Sequence, residues 1–237
     1  MLNSIAKELH SLKNKEKSKI LSGFFKTGKG EYGDGDIFLG IVVPLQRKVA
    51  KKYTNLQLPE IQELLSSKIH EFRLTSLFIL IDKYKKAQEN EKKKIVEFYL
   101  NNTKNINNWD LVDLSAPNIL GDYLRDKDKS ILYRLANSPH LWEKRIAILS
   151  AFAFIRNNMF EDALNLSETL IRDRHDLIHK AVGWMLREIG KRDIRAEENF
   201  LKKHYRKMPR TMLRYAIERF PEQKRKHYLN SKIALII

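Results

Sequence analysis

The 237-residue sequence predicts an all-α fold built from stacked helix pairs. Three observations carry that expectation. Only 9 Gly and 6 Pro interrupt the chain. Apolar residues recur at three- and four-residue spacing, as in Leu74, Leu77, Phe78 and Ile81. One type of segment returns at nearly constant distance along the chain, which is the mark of a repeat architecture.

From the N-terminus, MLNSIAKELHSLKNKEK mixes charge with short apolar steps and has no long apolar run. Residues 27–37, TGKGEYGDGDI, hold four glycines and three acids, so a loop with room for a short hairpin is expected there. The recurrence follows. Arg73, Trp109, Arg145, Lys180 and Arg214 are separated by 36, 36, 35 and 34 residues. They open RLTSLFIL, WDLVDLSA, RIAILSAF, KAVGWMLR and RYAIERFP, with room for one further helix between successive segments, as in KKKIVEFYL or EDALNLSETLI.

In a stacked array, equivalent positions of successive repeats lie side by side on one surface, commonly the concave one. The five residues are therefore expected to form a line. One helical turn further along lie Leu77, Asp113, Leu149, Trp184 and Glu218. The expected surface combines Arg73, Arg145, Lys180, Arg187 and Arg214 with Trp109 and Trp184, and sets Asp113 among them.

Lys and Arg number 45 against 29 Asp and Glu, a net charge of +16, so a polyanion is the expected partner, nucleic acid ahead of an anionic membrane. Charges are interleaved with the 43% of hydrophobic residues, which places them on folded surface. Residues 187–228 carry 14 Lys or Arg against 6 acids, so the field is strongest toward the C-terminal end. With no cysteine, disulfides, thiolate zinc sites and thiol nucleophiles are excluded. No stretch of about 18 apolar residues occurs, and a cytoplasmic protein without a membrane partner is expected.

Local motifs for other chemistries fail. GFFKTGKG, residues 23–30, nearly spells a phosphate-binding loop, but Gly30 replaces the hydroxyl residue and the preceding residues read as helix. His175 and His179 are the only histidines at i, i+4 spacing, with no Glu between them and no third ligand, so no metal site is expected. A G-x-S-x-G elbow is missing. Taken singly, Trp109 and Trp184 suit core aromatics, Asp113 suits a solvated acid or a cap for the helix broken by Pro117, and Arg145 suits a surface charge.

In order and spacing, GFFKTGKGEYGDGDIFLGI with Pro44, NWDLVDLSAPNILGDYL, WEKRIAILSAF, HKAVGWMLREIGKR and RTMLRYAIERF resemble the AlkD family of DNA alkylation repair glycosylases. The resemblance implies a superhelical array of HEAT-like helix pairs with a concave basic groove, one domain over residues 1–237. It implies a monofunctional glycosylase that excises cationic N3-methyladenine and N7-methylguanine from duplex DNA without base flipping and without a cofactor. By the same resemblance Trp109, Asp113 and Trp184 are catalytic and Arg145 holds the phosphate backbone, while the repeat register adds Lys180, Arg187, Arg73 and Arg214 as DNA contacts. A monomer with no obligate protein partner is expected.

Two alternatives accompany that reading. The loop at 27–37 is longer than in the simplest members of the family, and some members bind branched or distorted DNA without ordinary excision. A helical array is also able to serve as a protein scaffold, although a scaffold has no need of a lone Asp between tryptophans on a basic surface. The apolar end, IALII, has no role that the sequence assigns.

Overall fold

A computed structural model describes residues 1–233, with side chains through Asn230. The apolar IALII end lies outside those side chains. Contacts group the chain into two compact units, Met1–Ser115 and Ala116–Ile237.

The first unit runs through α1 (Leu2–Ser11), α2 (Lys15–Phe24), α3 (Val43–Lys52), α4 (Leu58–Leu65), α5 (His70–Lys86), α6 (Glu89–Asn101) and α7 (Trp109–Ser115). Sequence signals set several of the boundaries. Asn14 caps α2 by accepting from the Lys17 amide. Pro44 and Pro59 sit in the first turns of α3 and α4, where a missing N–H costs nothing. Gln57 and Glu60 close a reciprocal capping box at the start of α4.

Helix α5 is the centre of this unit. Every residue from His70 to Ile81 is buried, because α3, α4, α6 and α7 pack around it. A helix surrounded in this way need not be amphipathic, and its polar residues must find partners inside. Glu71 does so: its carboxylate accepts from the amides of Leu39, Gly40 and Ile41 at 2.9, 2.8 and 3.1 Å. The segment it holds passes so close to α2 that a Cβ on Gly40, whose φ is +87°, would lie 2.1 Å from the Asn14 carbonyl oxygen. The loop expected over 27–37 is present as a run of turns and contains no hairpin. Its extended pairing is a single bridge between Ile37 and Ile69.

The second unit contains α8 (Leu120–Leu124), α9 (Ser130–Ala136), α10 (Leu141–Arg156), α11 (Glu161–Thr169), α12 (Asp176–Gly190), α13 (Ile194–His204), α14 (Arg210–Ala216) and α15 (Glu222–Ile233). Helix α10 packs on α8, α9, α11 and α12, and α12 packs on α13 and α14. Glycine sets the closest approaches. A Cβ on Gly121 would lie 2.2 Å from the Ser150 carbonyl, and one on Gly183 2.4 Å from the Met212 carbonyl. The repeat read from the sequence is realised as topology: Arg73, Trp109, Arg145, Lys180 and Arg214 fall on α5, α7, α10, α12 and α14, with at least one further helix between successive members. The fold is an all-α helical repeat.

One buried acid in this unit is out of balance. Glu197 on α13 is 2% exposed and its Oε1 has no hydrogen-bond partner. Burial first, and the neighbouring Glu198 charge second, push its carboxyl up to about 8. The unfolded chain releases this proton near pH 4.5, so the folded state is penalised progressively as pH rises from about 4.5 to 8 and is free of the penalty below that window. Glu197→Gln is expected to flatten that decline and to raise stability near pH 7 by about 1–2 kcal/mol, measured by urea unfolding at pH 5 and pH 8.

Candidate nucleic-acid interface

On the first unit, Trp109 opens α7 and is half-buried. Its indole stacks on Phe25 at 4.9 Å with an interplanar angle of 12° and meets the edge of Phe24 at 5.8 Å. Phe25 in turn stacks on Phe38 at 5.0 Å, and Phe38 on the His70 imidazole at 4.5 Å. The column runs from the half-buried tryptophan down to the buried His70 ring, so Trp109 is braced by Phe25 and Phe24. Asp113, one turn along α7, is also half-buried, and its charge reaches the phenol of Tyr99, which burial first and Asp113 second push upward. The Tyr99 hydroxyl is bonded to Ser115 Oγ at 2.9 Å, which ties the end of α7 to α6.

The start of α7 is fixed by a buried charge network that the sequence did not reveal. His70 Nε2 lies 2.8 Å from Asp110 Oδ2, and Nδ1 lies 3.2 Å from Asp36 Oδ2. Arg73 Nη2 donates to the same Asp36 oxygen at 2.7 Å, and Asn108 Nδ2 donates to it at 3.4 Å. Two ring nitrogens facing two carboxylates satisfy both only as imidazolium. Burial alone would strip the His70 proton; the charge and hydrogen bond of Asp110, with the bond to Asp36, outweigh it and hold the imidazole above its ordinary range. Burial likewise works against the Asp36 carboxylate, and the His70 bond with the Arg73 charge overcomes it and holds that carboxyl low. The last acid of the glycine-rich loop is thereby a fastener, pinning loop, α5 and α7 together.

On the second unit, Trp184 is half-buried on α12. Its Nε1 donates to Glu188 Oε1 at 3.1 Å, its ring lies 5.6 Å from Phe152, and the Arg156 guanidinium sits 4.0 Å over the Phe152 ring. Lys191 Nζ also bonds Glu188, at 2.6 Å. Lys180 pairs with Asp176 at 2.7 Å, Arg187 pairs with Glu218, and Arg214 is exposed. Phe152 and Arg156 escaped the sequence reading because they fall outside the two register positions it followed.

The five register residues do not share one environment. Arg73 is 3% exposed, with Nη1 on the Ser67 carbonyl and Nη2 on Asp36. Arg145 is 5% exposed and donates to the Leu177 carbonyl in the first turn of α12 at 2.5 Å. Both lie on the helices that their units bury most completely, which is why their cations are turned inward as struts, where a solvent-facing line was expected. Leu77 and Leu149 are core for the same reason.

The rejected motifs are explained locally. GFFKTGKG is the C-terminal end of α2, where Lys26 N and Thr27 N bond back to Gly23 and Ser22 carbonyls. His175 accepts from the Leu177 amide, and His179 Nε2 meets the Asp173 carbonyl at 2.6 Å, so the pair shapes the start of α12. Among the described residues no group of three or more His, Asp or Glu is arranged to hold a metal ion. None of their helices is long and apolar enough to cross a membrane.

Residues 5–220 match the family described as "DNA alkylation repair enzyme". The chain belongs to that family. The fold of this DNA alkylation repair enzyme family member is similar to a solved structure described as "Predicted DNA alkylation repair enzyme from Enterococcus faecalis" (TM-score 0.69, 15% identity, covering 89% of this chain and 97% of that one). It is also similar to AlkD2 from Streptococcus mutans (TM-score 0.56, 16% identity, 88% and 99% covered) and to smu.31 from Streptococcus mutans UA159 (TM-score 0.54, 16% identity, 93% and 99% covered). At such identities the likeness is one of fold. No curated protein matches the chain in sequence.

Proposed function

We propose that this member of the DNA alkylation repair enzyme family is a monofunctional glycosylase that hydrolyses the N-glycosidic bond of N3-methyladenine and N7-methylguanine in duplex DNA. The observation that carries the proposal is α7 of the first unit, where Trp109 and Asp113 stand one turn apart, both half-buried, on a helix locked at its start by Asp110 and at its end by Ser115.

An alkylated purine already carries positive charge, so its base is a good leaving group. As the bond breaks, that charge passes to the sugar, and a fixed carboxylate stabilises the transition state more than the ground state. Asp113 supplies the carboxylate and orients the water that attacks the anomeric carbon. Trp109, stiffened by its stack on Phe25, packs against the deoxyribose. On the second unit Trp184 offers a ring of the same kind, and Lys180, Arg187 and Arg214 engage phosphates. Arg145 and Arg73 contribute indirectly, the first by holding the first turn of α12 and the second by anchoring Asp36.

Chromatography of the small-molecule fraction after incubation with methylated duplex DNA tests this directly. Free N3-methyladenine and N7-methylguanine are expected, with abasic sites left in an unbroken strand. Tight binding to methylated duplex with no free base would refute excision.

A further inference from the structure

Two separate holds on Trp109 converge on one residue. Along the backbone, the Trp109 amide donates to Asn108 Oδ1 at 2.8 Å, and Asn108 Nδ2 reaches Asp36 Oδ2 at 3.4 Å. On the other flank, Asp110 Oδ1 accepts from the Leu111 amide at 2.8 Å while its Oδ2 faces His70 Nε2 at 2.8 Å. Through the rings, Trp109 stacks on Phe25, and Phe25 and Phe38 lie 5.0 and 4.5 Å from the His70 imidazole. His70 closes both routes, as the bridge between Asp36 and Asp110 and as the floor of the aromatic column.

A bridge of this kind needs both ring nitrogens protonated. The charged groups facing the ring are Asp36 from the loop, Arg73 from α5 and Asp110 from α7, and the adjacent Glu71 is turned to the amides of Leu39, Gly40 and Ile41. With the imidazolium, two cations oppose two carboxylates, and the stacked Phe38 ring adds a favourable cation–π contact. A neutral imidazole has one N–H, so one carboxylate is left facing a lone pair in a buried site. Asp36 holds Asn108 and Asp110 holds the Leu111 amide, so either loss frees a flank of Trp109.

We propose that His70 is a positioning residue for excision: as imidazolium it ties Asp36 to Asp110 and sets the Trp109 ring against the deoxyribose, and loss of its proton loosens that ring and slows bond cleavage on bound DNA. The effect on rate rests on the glycosylase reading; the coupling of His70 to Trp109 does not. The same contacts give the direction with pH. Burial favours the neutral ring, and the Asp110 charge and hydrogen bond, with the Asp36 bond, outweigh it. The bridge is therefore intact within and below the ordinary histidine range and comes apart as pH rises through a value above it.

Full-length protein labelled with 5-fluorotryptophan carries three fluorine probes, one per tryptophan, and Trp109→Phe assigns the one at stake. His70 is expected to titrate above the ordinary value of about 6.5 by ring-nitrogen NMR, and the Trp109 resonance to move with the same midpoint. Single-turnover release of 7-methylguanine at saturating enzyme is expected to fall roughly tenfold across that midpoint, with the duplex dissociation constant within about threefold. Asp110→Asn keeps the shape, removes one carboxylate, and is expected to lower both midpoints together. His70→Gln is expected to abolish the pH response of resonance and rate and to sit near the slow alkaline limit of wild type; should it fail to fold, Asp110→Asn decides. Titration of His70 at or below the ordinary range, or a Trp109 resonance unmoved through that titration, overturns the bridge. A release rate flat across the midpoint overturns the positioning role. Wild type that frees no base at any pH overturns the glycosylase reading and the effect on rate with it, and the coupling then stands or falls on the Trp109 resonance.

Discussion

Glu71→Ala is expected to lower folding stability by about 4 kcal/mol, among the largest losses available to a single substitution in the first unit. The carboxylate is 1% exposed and is the acceptor for three consecutive amides, Leu39, Gly40 and Ile41. Its removal leaves three donors buried, each costing roughly 1–3 kcal/mol without a partner, offset in part by relief from burying a charge. Neighbouring backbone has little freedom to repair the loss, since Gly40 already approaches the Asn14 carbonyl as closely as a Cβ-free residue allows. Glu71→Gln keeps one acceptor oxygen and is expected to cost about half as much. Urea unfolding gives the totals, and hydrogen exchange at Leu39, Gly40 and Ile41 should quicken first.

Asp113→Asn is expected to slow excision about a thousandfold while leaving duplex affinity within about threefold. The variant keeps shape and removes charge. A carboxylate about 4 Å from a developing positive charge, at an effective dielectric of about 20, is worth roughly 4 kcal/mol, which is that rate factor. In the ground state the positive charge sits on the base and in the transition state on the sugar, so the loss should fall on the chemical step. The expected signature is a depressed single-turnover rate at saturating enzyme, with the dissociation constant nearly unmoved.

The fold was largely legible because a helix-pair repeat writes its period into the chain. Five segments at 34–36 residue spacing fell on five separate helices, each divided from the next by at least one other helix, and the glycines of residues 27–37 marked the loop. The pairing of side chains within the helices was not legible. A period places Arg73 and Arg145 on equivalent positions but says nothing of how deeply each helix is packed, and both cations are buried as struts. The same limit hid the Asp36, His70 and Asp110 network, whose members lie 34 and 40 residues apart and meet only through the fold. The reading of residues 27–37 as a long loop with three acids missed that its last acid, Asp36, faces inward. Phe24 was read only as part of a failed phosphate-loop motif, and its exposure emerges from three dimensions alone.

The role of the α7 carboxylate is tested by single-turnover release of 7-methylguanine from a defined duplex by wild type and Asp113→Asn, each at saturating concentration. Release is expected from wild type, with a rate about a thousandfold lower for the variant bound to the same DNA. Equal rates for the two proteins would contradict it.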